Sequence, residues 1–98
     1  MNMINAKDIL KIKDSAEILD VREPDEITDL ETQTFSNYTL IPKGELDRAL
    51  KTLSKDKEYY ILCRSGRRAK DAAIFMENEG FKVTIIEGGF ESIKKELE

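Results

Sequence analysis

The chain has one thiol, Cys63, and it opens the stretch Cys63-Arg64-Ser65-Gly66-Arg67-Arg68. Residues 63–70 hold four cations (Arg64, Arg67, Arg68 and Lys70) and no acid. That grouping suits nucleophilic chemistry towards an anion. Guanidiniums and a helix N-terminus favour a thiolate, and a glycine lets the backbone curl until consecutive N–H groups converge on one point. A lone cysteine ending an apolar strand is more often a small buried hydrophobe. Here its neighbours argue otherwise, because a core cysteine has no use for three arginines within five residues. The chain contains no histidine, so the commonest general base and the commonest metal ligand are absent. A single cysteine also rules out an internal disulfide and a Cys-rich zinc site. Neither a metal nor a cofactor is expected. The available chemistry rests on carboxylates, cations, backbone amides and one thiol.

These groups need elements to place them. Tyr59-Tyr60-Ile61-Leu62-Cys63 is a nearly continuous apolar run, the pattern of a strand buried on both faces. Residues 68–79 carry Ala69, Ala72, Ala73 and Met76 on one helical face, with Gly80 where a C-terminal glycine cap belongs. Cys63 therefore stands at a strand-to-helix turn, where ligands of open α/β sheets bind. Upstream, Asn5 can cap a helix over 6–12, and residues 16–21 read as a buried strand. Pro24 suits the first turn of a helix over 24–30, while 31–38 is polar and reads as loop. Thr39-Leu40-Ile41 before Pro42 reads as a strand, and Leu46, Ala49, Leu50 and Leu53 predict a helix over 45–53. Val83-Thr84-Ile85-Ile86 is a further strand, and Phe90, Ile93 and Leu97 make the inner face of a last helix. Alternation of this kind predicts an α/β fold, a small, mostly parallel sheet flanked by helices.

Length and composition narrow the function. Ninety-eight residues suffice for one domain, 1–98, with one core. The net charge of −4 argues against nucleic-acid binding, which needs a basic surface. No apolar run reaches the ~18–20 residues of a membrane helix, and Lys7 and Asp8 interrupt the place of a signal peptide. A cytoplasmic protein with no membrane partner is expected. Acids concentrate early: residues 1–34 carry nine against four bases.

Three motifs resemble the single-domain rhodanese-like sulfurtransferases. Leu19-Asp20-Val21-Arg22-Glu23-Pro24 is similar to that family's first-strand signature, and Cys63-Arg64-Ser65-Gly66-Arg67-Arg68 to its active-site loop. Gly80-Phe81-Lys82-Val83 with Glu87-Gly88-Gly89 is similar to its closing strand and double-glycine turn. The resemblance implies a three-layer rhodanese-like fold and a catalytic Cys63 that carries sulfur as a persulfide. It also implies an anion-binding loop of Arg64, Ser65, Gly66, Arg67 and Arg68, braced by Asp20 and Arg22. The implied donor is thiosulfate or a protein or low-molecular-weight persulfide, and the implied acceptor is a thiol or cyanide. Two features depart from the family. Gln33-Thr34-Phe35-Ser36-Asn37-Tyr38 stands where relatives read Gly-His-Ile-Pro-Gly-Ala, and the tryptophan common after the double glycine is missing, with Ile93 near its place.

Two other functions compete. A non-catalytic or regulatory binding module would keep the fold and use the divergent 31–38 segment for a partner, although loss of the loop cysteine would suit it better. A phosphatase or oxyanion reductase is disfavoured because Cys63 and Arg68 enclose four residues, one fewer than phosphatase loops of this type, and because no second thiol can resolve a disulfide.

Overall fold

The computed structural model describes residues 2–98. Five strands, β1 (Asn2–Ile4), β2 (Glu17–Asp20), β3 (Asn37–Leu40), β4 (Glu58–Leu62) and β5 (Lys82–Ile86), form one sheet in the order β1-β5-β4-β2-β3. Every pairing is parallel. The helices are α1 (Ala6–Lys11), α2 (Asp29–Thr32), α3 (Leu46–Ala49), α4 (Arg67–Asn78) and α5 (Gly89–Leu97).

Period-two alternation along the strands divides the core between the two faces of the sheet. Leu19, Val21, Tyr59, Ile61, Cys63, Val83 and Ile85 pack with Leu46 and Leu50 and with Ala69, Ala72, Ala73 and Met76 of α4. Ile18, Leu62 and Ile86 point the other way, onto Ala6 and Ile9 of α1 and Phe90 and Ile93 of α5. The result is the three-layer α/β arrangement expected, with the sheet parallel throughout. The alanines of α4 let that helix lie close against β4 and β5. Its end is a Schellman turn: the Gly80 N–H donates to Glu77 O and the Phe81 N–H to Met76 O, both at 3.0 Å, with Gly80 at φ +92°.

Several expected boundaries shift. The helix expected over 24–30 is two pieces, a 3₁₀ turn at Pro24–Glu26 and α2, separated by extended Ile27. The chain restarts because Thr28 and Glu31 make a capping box, a stronger local signal than continuation through a β-branched residue. The helix expected over 45–53 is α3 flanked by 3₁₀ turns at Lys43–Glu45 and Leu50–Thr52. There the Thr52 hydroxyl bonds the Ala49 carbonyl at 2.8 Å and competes with helical pairing. Residues 31–38 are not all loop: Phe35 is buried, and β3 begins at Asn37. Leu97, placed on an inner face by its spacing, is exposed at the end of α5.

Candidate active site

Cys63 follows the last residue of β4 and is almost wholly buried, with 1% of its surface exposed. Its Sγ accepts hydrogen bonds from two backbone N–H groups, Gly66 at 3.0 Å and Ala69 at 3.4 Å. The first requires the loop to double back within three residues, and Gly66 provides this by adopting φ +101°. The double glycine fixes the other side. Phe90 N–H donates to Cys63 O at 2.8 Å and Glu91 N–H to Arg64 O at 3.0 Å, so the start of α5 grips the loop's carbonyls. In a planar trans peptide the N–H points opposite the C=O. The N–H groups of Arg64 and Ser65 are thereby turned away from α5, and they have no acceptor among the described residues. Gly89 is needed at this contact, since a Cβ there would lie 2.4 Å from Cys63 O and 2.5 Å from Arg64 O. Free N–H groups beside a helix N-terminus are donors of the kind that can hold an anion.

The four arginines of the two motifs have different surroundings. Arg22 is buried and held by Asp20, with Nη2 to Oδ2 at 2.8 Å and Nε within 3.1 Å of both carboxylate oxygens. Its Nη1 donates to Glu31 at 2.6 Å, and its guanidinium lies over the Phe90 ring, 5.2 Å from the centroid. Burial works against the charge on Arg22, but the bonds to Asp20 and then Glu31 outweigh it and raise its pKa. Tyr38 completes this cluster by donating its hydroxyl to Asp20 Oδ2 at 2.5 Å. Burial first, and this bond to a carboxylate second, push the tyrosine's pKa up. Asp20 is therefore a buried acceptor shared by Arg22 and Tyr38. Asp20 and Arg22 thus form a buried pair at the end of β2 that makes no hydrogen bond or ion pair to residues 63–68 among the described residues, while Ser65 is an exposed loop residue.

Arg68 is not a free cation. Its Nη1 and Nη2 donate to the two oxygens of Glu26 at 2.6 and 2.7 Å, a bidentate pair. The Arg68 bond, assisted by the Glu23 backbone, draws the Glu26 pKa down to about 2. Arg64 is exposed, with Nε 3.7 Å from Glu91. Arg67 is exposed and forms no ion pair among the described residues. A groove of about 790 Å³ runs beside the loop between Glu26, Glu31, Arg64, Phe90 and Lys94, and Cys63 is not among its walls. Sequence reasoning missed Glu26, Glu31, Tyr38 and Glu91. The capping box of residues 28–31 was a readable signal for an ordered Glu31. Nothing local pairs Glu26 with an arginine 42 residues away.

A parallel α/β sheet with a cysteine loop between β4 and α4 and a double glycine against it is the arrangement of the rhodanese-like domain. The Rhodanese-like domain model matches residues 3–96, and the chain belongs to that family. It is 31% identical over 83 residues to YtwF of Bacillus subtilis (strain 168), provisionally named a sulfurtransferase, covering 85% of this chain and 78% of that one. YrkF of the same organism, provisionally named a sulfur carrier protein, is 40% identical over 72 residues, which make up 74% of this chain and 37% of that protein. A solved rhodanese-related protein from Thermoplasma volcanium superposes with a TM-score of 0.85 at 34% identity, over 98% of this chain and 93% of the other.

Proposed function

We propose that this chain is a sulfurtransferase that moves sulfane sulfur from thiosulfate or a persulfide donor to a thiol or cyanide acceptor through a persulfide on Cys63. The observation that carries this reading is the position of Cys63 Sγ under the N–H groups of Gly66 and Ala69, in a loop whose Arg64 and Ser65 amides have no acceptor among the described residues. In the first step the thiolate attacks the outer sulfur of the donor. Its S–S bond breaks, sulfite or a thiol leaves with the bonding electrons, and Cys63 gains one sulfur. The terminal persulfide sulfur bears the negative charge, and fixed N–H dipoles stabilise such a charge without reorganising. In the second step the acceptor attacks that outer sulfur and the Cys63 thiolate departs. No oxidant, reductant, metal or histidine base is consumed or required. Asp20 and Arg22 act as positioning residues, linking the end of β2 to the segment beside the loop.

Intact-mass measurement after incubation with thiosulfate or a persulfide donor tests the reading. The parent protein gains one sulfur that dithiothreitol removes, and Cys63→Ser gains none. Absence of an adduct with every donor overturns the proposal and favours a binding module, the reading that the near-complete burial of Cys63 otherwise supports.

A further inference from the structure

The sequence places a concentrated positive charge at Cys63, but folding brings carboxylates to Arg64 and Arg68 of that patch and to Arg22 beside it. Arg68 is held bidentately by Glu26, Arg22 by Asp20 and Glu31, and Arg64 lies 3.7 Å from Glu91. Four carboxylates thus stand against the four arginines of the site, and among the described residues Arg67 alone of the four forms no ion pair. Glu23, Asp25 and Asp29 are exposed on the same segment as Glu26 and Glu31 and make no ion pair among the described residues. These carboxylates offset much of the attraction that the arginines, with Lys94 and Lys95 on the groove wall, would offer a dianion. Arg22 is buried between two carboxylates; among the exposed or partly exposed arginines, Glu26–Arg68 is the most complete contact, since both Nη atoms of Arg68 are taken at charge-assisted distances. The Arg68 guanidinium also lies within electrostatic reach of the thiol: its charged form is favoured first by Glu26 and, more weakly, by Cys63.

We propose that Glu26 is a specificity-determining residue that, by holding Arg68, turns the site away from dianionic donors such as thiosulfate and towards persulfides of low net charge. This rests on the sulfurtransferase reading and names the donor class for it. The chemistry balances for that class: the Cys63 thiolate takes the outer sulfur of R–S–SH, the S–S bond breaks, and R–SH leaves with the proton. Thiosulfate would react by the same displacement but must bring two negative charges to a site where Arg68 is already occupied by Glu26.

The test compares two donors, thiosulfate and cysteamine persulfide, whose ammonium offsets its sulfur anion. In Glu26→Gln, Arg68 keeps its place but loses its counter-charge. One unit of charge acting on a dianion through water across a site of this size is worth about five-fold. The kcat/KM for thiosulfate is therefore expected to rise about five-fold at low salt and to return towards the parental value in about 1 M salt. The value for cysteamine persulfide stays within about two-fold. The double variant Glu26→Gln/Arg68→Gln loses the thiosulfate gain. Equal changes for both donors, a gain that survives high salt, or a gain that persists without Arg68 would each overturn the proposal. A second measurement does not need sulfur transfer. The rate ratio for Cys63 alkylation by iodoacetate against iodoacetamide should rise about two-fold in Glu26→Gln. If no donor loads Cys63 in any variant, the sulfurtransferase reading fails, while the alkylation ratio still decides whether Glu26 sets the field at the thiol.

Discussion

The loop of residues 63–68 and the segment of residues 23–32 meet at Arg68 and Glu26, and they are held in different ways. The loop is fixed by backbone: N–H groups of Gly66 and Ala69 on the sulfur, those of Phe90 and Glu91 on its carbonyls, and Gly89 packed against Cys63 O. Neither helical piece of the 23–32 segment contributes a fully buried residue. Its ties to the rest of the molecule are side-chain ion pairs, Glu26 with Arg68 and Glu31 with Arg22. The contrast separates two properties of one site. Position is set by backbone contacts that salt and pH barely touch, whereas charge is set from a distant stretch of sequence by groups that can be titrated or screened.

The buried pair that ties the 23–32 segment to the end of β2 gives the largest expected effect. Asp20→Ala leaves the Arg22 guanidinium buried with only Glu31 as a counter-charge and removes the acceptor of Tyr38. Breaking a buried pair in this way costs roughly 3–5 kcal/mol, to be read as a fall in the urea midpoint. A loss of only a few tenths of a kcal/mol would mean that the cluster is not what anchors the 23–32 segment. Next comes the backbone contact itself. Gly89→Ala puts a Cβ within 2.5 Å of three backbone atoms of Cys63 and Arg64 at φ +61°, so the loop must move. The expected cost is roughly 2–4 kcal/mol, with slower sulfur loading of Cys63. Gly88→Ala is the control. Its Cβ meets only Ser92: rotation moves the Oγ away, the contact at 3.0 Å with the Ser92 Cβ needs a shift of a few tenths of an ångström, and about 1 kcal/mol of left-handed backbone strain remains. Equal losses in the two variants would show that packing of α5 against the loop carbonyls does not position the sulfur.

How much could be read beforehand follows the same division. The loop is contiguous in sequence, and Cys63, Gly66 and the alanines of α4 carry enough local pattern to predict a strand, a turn and a helix there. The α/β class was legible because β2, β4 and β5 are apolar on both faces. Strand β1 was not, since three residues are too few for a period to register. The break at Ile27 was hidden because Pro24 and the capping box of residues 28–31 are both helix starts, and the proline alone suggested one continuous element. Neutralisation of the arginines was invisible for a simpler reason. Glu26 and Arg68 are 42 residues apart, and Tyr38 lies in a polar stretch whose composition suggests only loop. Charge counted along the chain misjudged charge counted in space.

The smallest expected effect isolates the titratable side of the contrast. Glu26 has a folded pKa of about 2 against an ordinary 4.5, depressed first by its bonds to Arg68 and then by the Glu23 backbone. A carboxylate with a depressed folded pKa contributes stability fully above its unfolded pKa, and that contribution drains away as pH falls from about 4.5 through about 2. Glu26→Gln keeps the shape and cannot ionise. The stability difference between parent and variant should therefore be flat above about pH 5 and shrink steadily between about 4.5 and 2. The pair is partly exposed and screened by salt, so the plateau should be no more than about 1 kcal/mol. Urea midpoints of the two proteins across this range make the measurement. A difference independent of pH would assign the contact to shape alone, whereas one that collapses near pH 4 would mean that Arg68 does not hold the carboxylate in solution. The same titration leaves the backbone grip on Cys63 untouched, so any loss of the Gly66 and Ala69 bonds to sulfur over this range would break the separation between position and charge.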